Sequence, residues 1–458
     1  MRILAGLTAL GMLAAGGAAW AATPQATKIG ELETVALGSP HPYGIGSGPN
    51  ARTWTIRYPG ATYIRVHFDR FDLAPGDLLQ IASPDGAESF AYAGKGPAGS
   101  GEFWANLIRG DTAILRLQAS NGSAFGFEAD AFGRGVVEIG APAPEDPAQP
   151  ESVCGSQDWR DVKCYDPSAE YDQSNAAVVE YIGCCSACTA VKVSDSGQFL
   201  TNNHCASTAS QVASIELRFY YQTPGCGTGT AAYSGSVLGN ALNKTDAVLD
   251  YTLFTTTGNS SSVPCATLEN RLPSVGERIY VAGHPNAGPK KLSIDSDLDP
   301  GGKCTVRAAP CAGNSATSDV CYYCDTIGGS SGSPVFSGNT NQVVALHHFG
   351  GCYNSGGRMD LIYPQISGLL GTCSGGGGGA VCGNGVREGG EQCDGADLGG
   401  QTCQSQGFPG GTLACTGSCT FNTSGCTAVC SGAGAVCTAD AQCCSRNCAG
   451  PKKRQTCR

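Results

Sequence analysis

What this chain lacks narrows it first. Only 14% of its 458 residues are charged and the formal net charge is −10, so it does not carry the basic surplus that nucleic acid or an anionic membrane demands of a partner. Beyond the first twenty or so residues, no apolar run is long enough to span a bilayer. There is no phosphate-binding glycine loop and no H-E-x-x-H zinc motif. Neither a cofactor nor a metal is therefore expected. Histidine is scarce, six in all, which keeps the search for a general base short. Cysteine is absent before Cys154, although the chain holds 26 of them.

The residues that are abundant point the other way. Glycine occurs 67 times, about twice ordinary usage, and favours turn-rich β architecture over long helices. The cysteines fall into even groups: fourteen from Cys154 to Cys373, six from Cys382 to Cys426 and six from Cys430 to Cys457. Even counts at this density suit disulfides closed within each module, in an oxidising compartment. The N-terminus agrees. Arg2, an apolar run from Ile3 to Trp20 and the small-residue site Ala19-Trp20-Ala21 make residues 1–21 a secretory signal peptide. The protein is expected to be secreted.

Length implies about two to four domains, and composition shifts place their boundaries. Residues 23–140 alternate with period two, clearest where Ile64, Val66 and Phe68 interleave with Arg65, His67 and Asp69, which predicts a half-buried strand. Asp77 to Ala82, Thr112 to Gln118 and Phe125 to Ala129 are further strands, divided by turns such as Pro75-Gly76-Asp77. An antiparallel β-sandwich follows, loosely similar to CUB-like domains, with His41 and His67 as ordinary surface or strand histidines. Residues 141–152 form a proline-rich linker open to proteolysis.

The chemistry lies after that linker. His204 ends the strand-like run Gly197 to Thr201 and is followed at once by Cys205, so a disulfide would hold this base in place. Ser331 sits in a glycine-flanked turn, Gly328 to Phe336, whose Gly329 and Ser331 amides can converge on an oxyanion. Between them, Asp250 opens the apolar run Tyr251 to Phe254 and is the choice to orient His204. Asp246, set apart from that run, reads as a solvated turn residue.

In this order the residues resemble the trypsin-like, chymotrypsin-fold serine peptidases, over about residues 153–373. Leu200 to Cys205 matches their L-T-A-x-H-C motif except at Asn202; Asp250 to Leu253 matches D-x-x-L, and Gly329 to Pro334 matches G-x-S-G-x-P. The resemblance implies a mainly β, two-barrel fold, with Ser331 as nucleophile, His204 as base and Asp250 as its partner. Cys154, Cys164, Ser186 to Thr189 and Leu346-His347 bring it nearest to secreted bacterial lysyl endopeptidases. That likeness implies disulfides Cys154–Cys352, Cys164–Cys226 and Cys188–Cys205, leaving eight cysteines of this domain unassigned. Where classical trypsins carry the aspartate that receives a new N-terminus stands Ser330, so that switch is absent. The resemblance implies instead a zymogen with an upstream propeptide, a role open to residues 23–140; the same residues also read as a permanent binding domain.

Specificity has competing signals. Asp325, six residues before Ser331, sits where trypsin carries the acid that receives Lys or Arg, and cleavage after Arg or Lys is the favoured reading. It also reads as a structural carboxylate beside Cys324. The lysyl endopeptidase acid maps onto Asn354. His347 or His348 with Thr326 fits the pocket of glutamyl endopeptidases. The C-x-x-C pairs Cys185/Cys188 and Cys321/Cys324 are taken as disulfides rather than zinc ligands. Gly283-His284-Pro285 reads as a loop near the substrate, and Lys290 and Lys291 as a solvated pair.

After a glycine linker at 374–380, residues 381–427 resemble a cysteine-rich repeat of myxobacterial-type secreted proteins, with Glu391 and Asp394 as turn carboxylates. Residues 428–458 resemble an inhibitor cystine knot, which implies Cys430–Cys444, Cys437–Cys448 and Cys443–Cys457. These modules suit a cell-surface or extracellular ligand. The whole reads as a secreted serine endopeptidase acting on protein or peptide substrates, against the alternative of a catalytically inactive, protease-fold adhesin.

Overall fold

The computed structural model describes residues 25–44, 52–137, 153–374 and 392–427, apart from Gly407, Pro409 and Ser418, and the backbone of 448–449 and 456–457. The signal-peptide, linker and cystine-knot disulfide assignments lie outside the described residues.

Residues 30–135 form two facing antiparallel sheets. One orders Gly30–Gly38, Gly126–Gly135, Tyr63–Asp72 and Phe103–Trp104; the other orders Arg52–Arg57, Thr112–Gln118, Leu78–Ala82 and Ser89–Tyr92. Ile64, Val66 and Phe68 enter the core between them with Leu79, Ile81, Leu115 and Phe127, as the alternation requires. The opposite face of Tyr63–Asp72 departs from expectation. Arg65 is 1% exposed, because the following domain covers that face and supplies acceptors at Gly183 O and Ser214 O.

That domain begins with a closed barrel. Ser186–Lys192, Ala177–Ile182, Ile215–Phe219, Gly235–Asp246, Tyr251–Thr257 and Gln198–Thr201 pair in sequence, and the last returns to the first at Val191 and Lys192. An eight-stranded half-barrel follows, in which Ile279–Gly283, Pro334–Ser337, Val343–Phe349, Asn354–Arg358 and Asp319–Tyr322 are consecutive neighbours. Both are antiparallel and helices are few, so the chain has the two-barrel, chymotrypsin-like fold.

Disulfides join Cys154 to Cys352, Cys164 to Cys226 and Cys188 to Cys205. Three more link Cys184 to Cys185, Cys265 to Cys373 and Cys311 to Cys321, while Cys304 and Cys324 are buried thiols. Neither C-x-x-C pair closes on itself. Along an extended strand, residues three apart lie about 10 Å from each other on opposite faces, and Cys188 and Cys321 both lie in strands. Within residues 392–427, Cys393 joins Cys415 and Cys403 joins Cys426.

Candidate active site

The first barrel brings His204 and Asp250 together through the ends of neighbouring strands. His204 follows the strand Gln198–Thr201, and Asp250 immediately precedes Tyr251–Thr257, its direct neighbour in the barrel. His204 Nδ1 lies 2.7 Å from Asp250 Oδ2, and the His204 backbone N–H donates to Oδ1 at 2.9 Å. Since a carboxylate only accepts, Nδ1 carries the proton and Nε2 is left able to accept one. Among the described residues Nε2 has no hydrogen-bond partner. Asn202, the departure from the motif, donates through Nδ2 to the Asp250 carbonyl at 2.8 Å. Asp250 is held at φ +51°, a left-handed conformation that a non-glycine residue keeps only when its surroundings fix it.

The glycine-flanked turn carrying Ser331 is docked on the strand Ser186–Lys192. Thr189 N–H donates to the Ser331 carbonyl at 2.8 Å, and the Thr189 hydroxyl donates to the Gly329 carbonyl at 2.8 Å. Only glycine fits beside Ser331. A Cβ on Gly332, at φ +85°, would stand 2.0 Å from Thr189 O, and one on Gly329 would stand 2.7 Å from His284 O. The Cys188–Cys205 disulfide ties this strand to the residue after His204. Its sulfurs lie within 4.8 Å of a His204 ring nitrogen, but a closed disulfide offers no thiolate to a metal.

One partner escaped the sequence reading. His348 donates Nδ1 to Asp250 Oδ2 at 3.0 Å and Nε2 to Asp319 Oδ2 at 2.6 Å. Two carboxylate acceptors require both ring nitrogens to be protonated, so His348 is an imidazolium. Burial alone would lower its pKa, yet the bonds to Asp250 and Asp319 raise it to about 9. Burial likewise pushes the Asp250 carboxyl up, but hydrogen bonds from His204 and His348 outweigh this and hold it well below the usual range. The neighbouring His347 points to the other face of its strand, against the Tyr322 hydroxyl at 2.7 Å, and desolvation lowers its pKa to about 3. The adjacent pair in Leu346-His347-His348 was the available signal: alternate faces of one strand cannot both open on a pocket.

Several expectations change. His348 is not a pocket residue, because both its nitrogens are engaged behind Asp250. Asp325 accepts from Cys154 N–H at 2.8 Å and Asp158 N–H at 2.6 Å, anchoring the start of the peptidase domain. The void beside it, lined by Thr326, Ser330 and Trp159, measures about 10 Å³, room for no more than a water. Its structural alternative accounts for these two bonds. Thr326 keeps a buried hydroxyl without a partner among the described residues, and Asn354 Nδ2 donates to Cys324 O at 2.8 Å. Lys290 is not solvated: it is fully buried beside the Tyr220 ring, and desolvation lowers its pKa to about 7. Lys291 pairs with Asp161. His284 is also buried, and its carbonyl lies against Gly329 in the Ser331 turn.

Comparison with known proteins agrees with this architecture. A family model described as the trypsin-like peptidase domain matches residues 188–346. The chain is 33% identical over 319 residues to the secreted RxLR effector protein 73 of Plasmopara viticola, covering 64% of this chain and 76% of that protein. It is also similar to the solved serine endoprotease of Yersinia pestis, at 15% identity over 44% of this chain and 67% of that one, with a TM-score of 0.33. A Glu endopeptidase solved in complex with MPD matches at 18% identity over 48% of this chain and 98% of that one, with a TM-score of 0.35. The chain therefore belongs to the same family as the Plasmopara viticola protein, and within it residues 188–346 carry a trypsin-like peptidase domain.

Proposed function

We propose that this protein is a secreted serine endopeptidase in which Ser331 attacks the peptide carbonyl, His204 takes and returns its proton, and Asp250 orients His204. The observation that carries it is the 2.7 Å bond from His204 Nδ1 to Asp250, which selects the tautomer a general base needs. The amides of Gly329 and Ser331 are assigned to the oxyanion. Ser331→Ala is expected to abolish peptide hydrolysis while leaving the fold and secretion intact; retained hydrolysis in that variant would refute the assignment. A sulfonyl fluoride separates this reading from an inactive adhesin, since a folded protein that stays unlabelled at Ser331 favours the adhesin.

For the residue before the cut we propose Arg or Lys. The support is electrostatic rather than a direct contact. Asp325, deprived of water, has its pKa raised to about 6 despite two amide donors, so its charge is incompletely compensated and favours a cation nearby. A substrate panel with Lys, Arg or Glu before the cut decides this. A preference for Glu would move recognition to His347 and Thr326.

A further inference from the structure

We propose that the N-terminal sandwich is a permanently docked domain that positions the nucleophile turn, rather than a propeptide that leaves. The positioning half of this rests on the peptidase reading above; the docking half does not.

The sandwich joins the barrel by a strand. Thr27–Lys28 pairs antiparallel with Ala187 and Ser186, and the Ile29 and Gly30 amides both donate to Cys185 O, at 2.8 and 3.3 Å. It therefore fills the edge of Ser186–Lys192 that the barrel seam leaves open, since Gln198–Thr201 reaches only Val191 and Lys192. An uncovered edge of this kind is a pairing hazard that folds rarely leave bare. Two residues beyond Ala187 on the same edge, Thr189 holds the carbonyls of Ser331 and Gly329. One strand edge thus serves the sandwich, the nucleophile turn and the barrel closure in succession.

The contact is then locked by buried charge. Arg65 donates to Gly183 O at 2.6 Å and Ser214 O at 3.0 Å. From the other side, Arg218 reaches Glu88 at 3.0 Å and the Leu107 carbonyl. Glu216 accepts from Leu107 N–H at 2.7 Å and Asn106 Nδ2 at 3.1 Å. Arg65, Glu88, Glu216 and Arg218 are each 5% exposed or less. Arg218 pairs with Glu88 across the contact, while Arg65 is held by backbone carbonyls alone. Buried charges satisfied in this way fix the register of a contact, and removing one partner is far costlier than the net contribution of the interaction. Around them, Ile29, Tyr63 and Leu107 of the sandwich share one apolar cluster with Val179, Tyr181, Ala187, Tyr221 and Ala287. Departure of the sandwich would bare that cluster. Ala287 adds a second route to the site, because Asn286 N–H beside it donates to Gly328 O at 2.7 Å.

The test uses the full chain with a sequence-specific protease site placed within residues 141–152. After the cut, the two pieces are expected to co-elute on size exclusion at micromolar concentration, and Ser331 to react with a sulfonyl fluoride at the uncut rate. Separation of the pieces, or faster labelling once they part, would overturn the proposal and restore the propeptide reading. Arg65→Met is expected to slow labelling at least tenfold and Arg65→Lys to recover part of it. Thr27→Pro, at the position of the added strand that shares the hydrogen-bonding phase of Ile29, is expected to slow labelling with the fold intact, and unchanged labelling in a folded Thr27→Pro chain would overturn positioning. If the uncut parent does not label at all, the peptidase reading fails, and co-elution still decides docking.

Discussion

The sandwich and the peptidase barrels are both antiparallel β structures, yet they are secured by different chemistry. Six disulfides brace the peptidase domain, whereas the sandwich has no cysteine and relies on buried ionised groups. Asp77, 1% exposed, accepts from Ser120 N–H and its hydroxyl, Asn121 N–H, Gly122 N–H and the Tyr43 hydroxyl. A disulfide acts mainly by restricting the unfolded chain, whatever the pH. A hydrogen-bonded carboxylate acts in the folded state and only while ionised. Reductant and acid should therefore strike opposite halves of the molecule.

The largest expected effect breaks the comparison on the peptidase side. Cys154–Cys352 spans 198 residues, and replacing both cysteines by serine should cost about 5 kcal/mol, read by urea unfolding. Hydrogen exchange should show that loss in the barrels and leave Leu79, Ile81 and Leu115 of the sandwich protected.

Next comes Asp77. Burial would raise its pKa, but the bonds from Tyr43 and the three amides prevail and hold it well below the usual range. A depressed folded pKa contributes stability above the unfolded value, and that contribution is lost as pH falls below about 4. Asp77→Ala should cost about 3 kcal/mol at neutral pH, because it leaves buried donors unpaired, and should remove the acid dependence of sandwich unfolding. Acid sensitivity unchanged by the substitution would show that another group carries it.

His348 sharpens the same contrast inside the peptidase domain, where a buried charged device stands among the disulfides. Its folded pKa is raised, so its contribution is complete below the unfolded value of about 6.5 and is lost as pH rises through about 9. A rise from 6.5 to about 9 corresponds to on the order of 3 kcal/mol. His348→Gln should lose that increment at pH 6 and little at pH 10, which pH-dependent thermal melts would reveal. An equal loss at both pH values would mean packing, not charge, is what His348 supplies.

How much of this was legible depended on how local each signal is. The strand Thr112–Gln118 was expected with the same bounds the structure shows, since alternation and turn residues are nearest-neighbour properties. The order of His204, Asp250 and Ser331 was visible because each stands beside a glycine, cysteine or apolar run that marks a strand end. Arg65 was misread for an instructive reason. Period-two alternation assigns a face but is silent on what covers it, and the cover lies more than a hundred residues downstream, at Gly183 and Ser214. Lys290 was misread in the same way: the neighbouring Lys291 suggested a solvated pair, while opposite faces of the chain send one lysine into the core and the other to Asp161. Asp325 had two readings on sequence alone, and its bonds to the amides of Cys154 and Asp158, remote in sequence, could not be read there.

Asp325 also gives the smallest expected effect and tests the contrast most finely, because it is a buried carboxylate on the disulfide-braced side, beside Cys154. Desolvation raises its pKa to about 6 against the two amide bonds. The folded protein therefore holds a proton that the unfolded chain has already released between about pH 4 and about pH 6. Ionised Asp325 detracts from stability above that window, the reverse of Asp77. Asp325→Asn, which keeps one oxygen for an amide, should change stability at pH 8 by less than about 1 kcal/mol and flatten the profile between pH 4 and 6. If the same variant also loses its preference for Arg or Lys before the cut, one carboxylate both anchors the domain start and biases the pocket. If the preference survives, the anchor is its whole role, and the disulfide at Cys154 makes even that role nearly redundant.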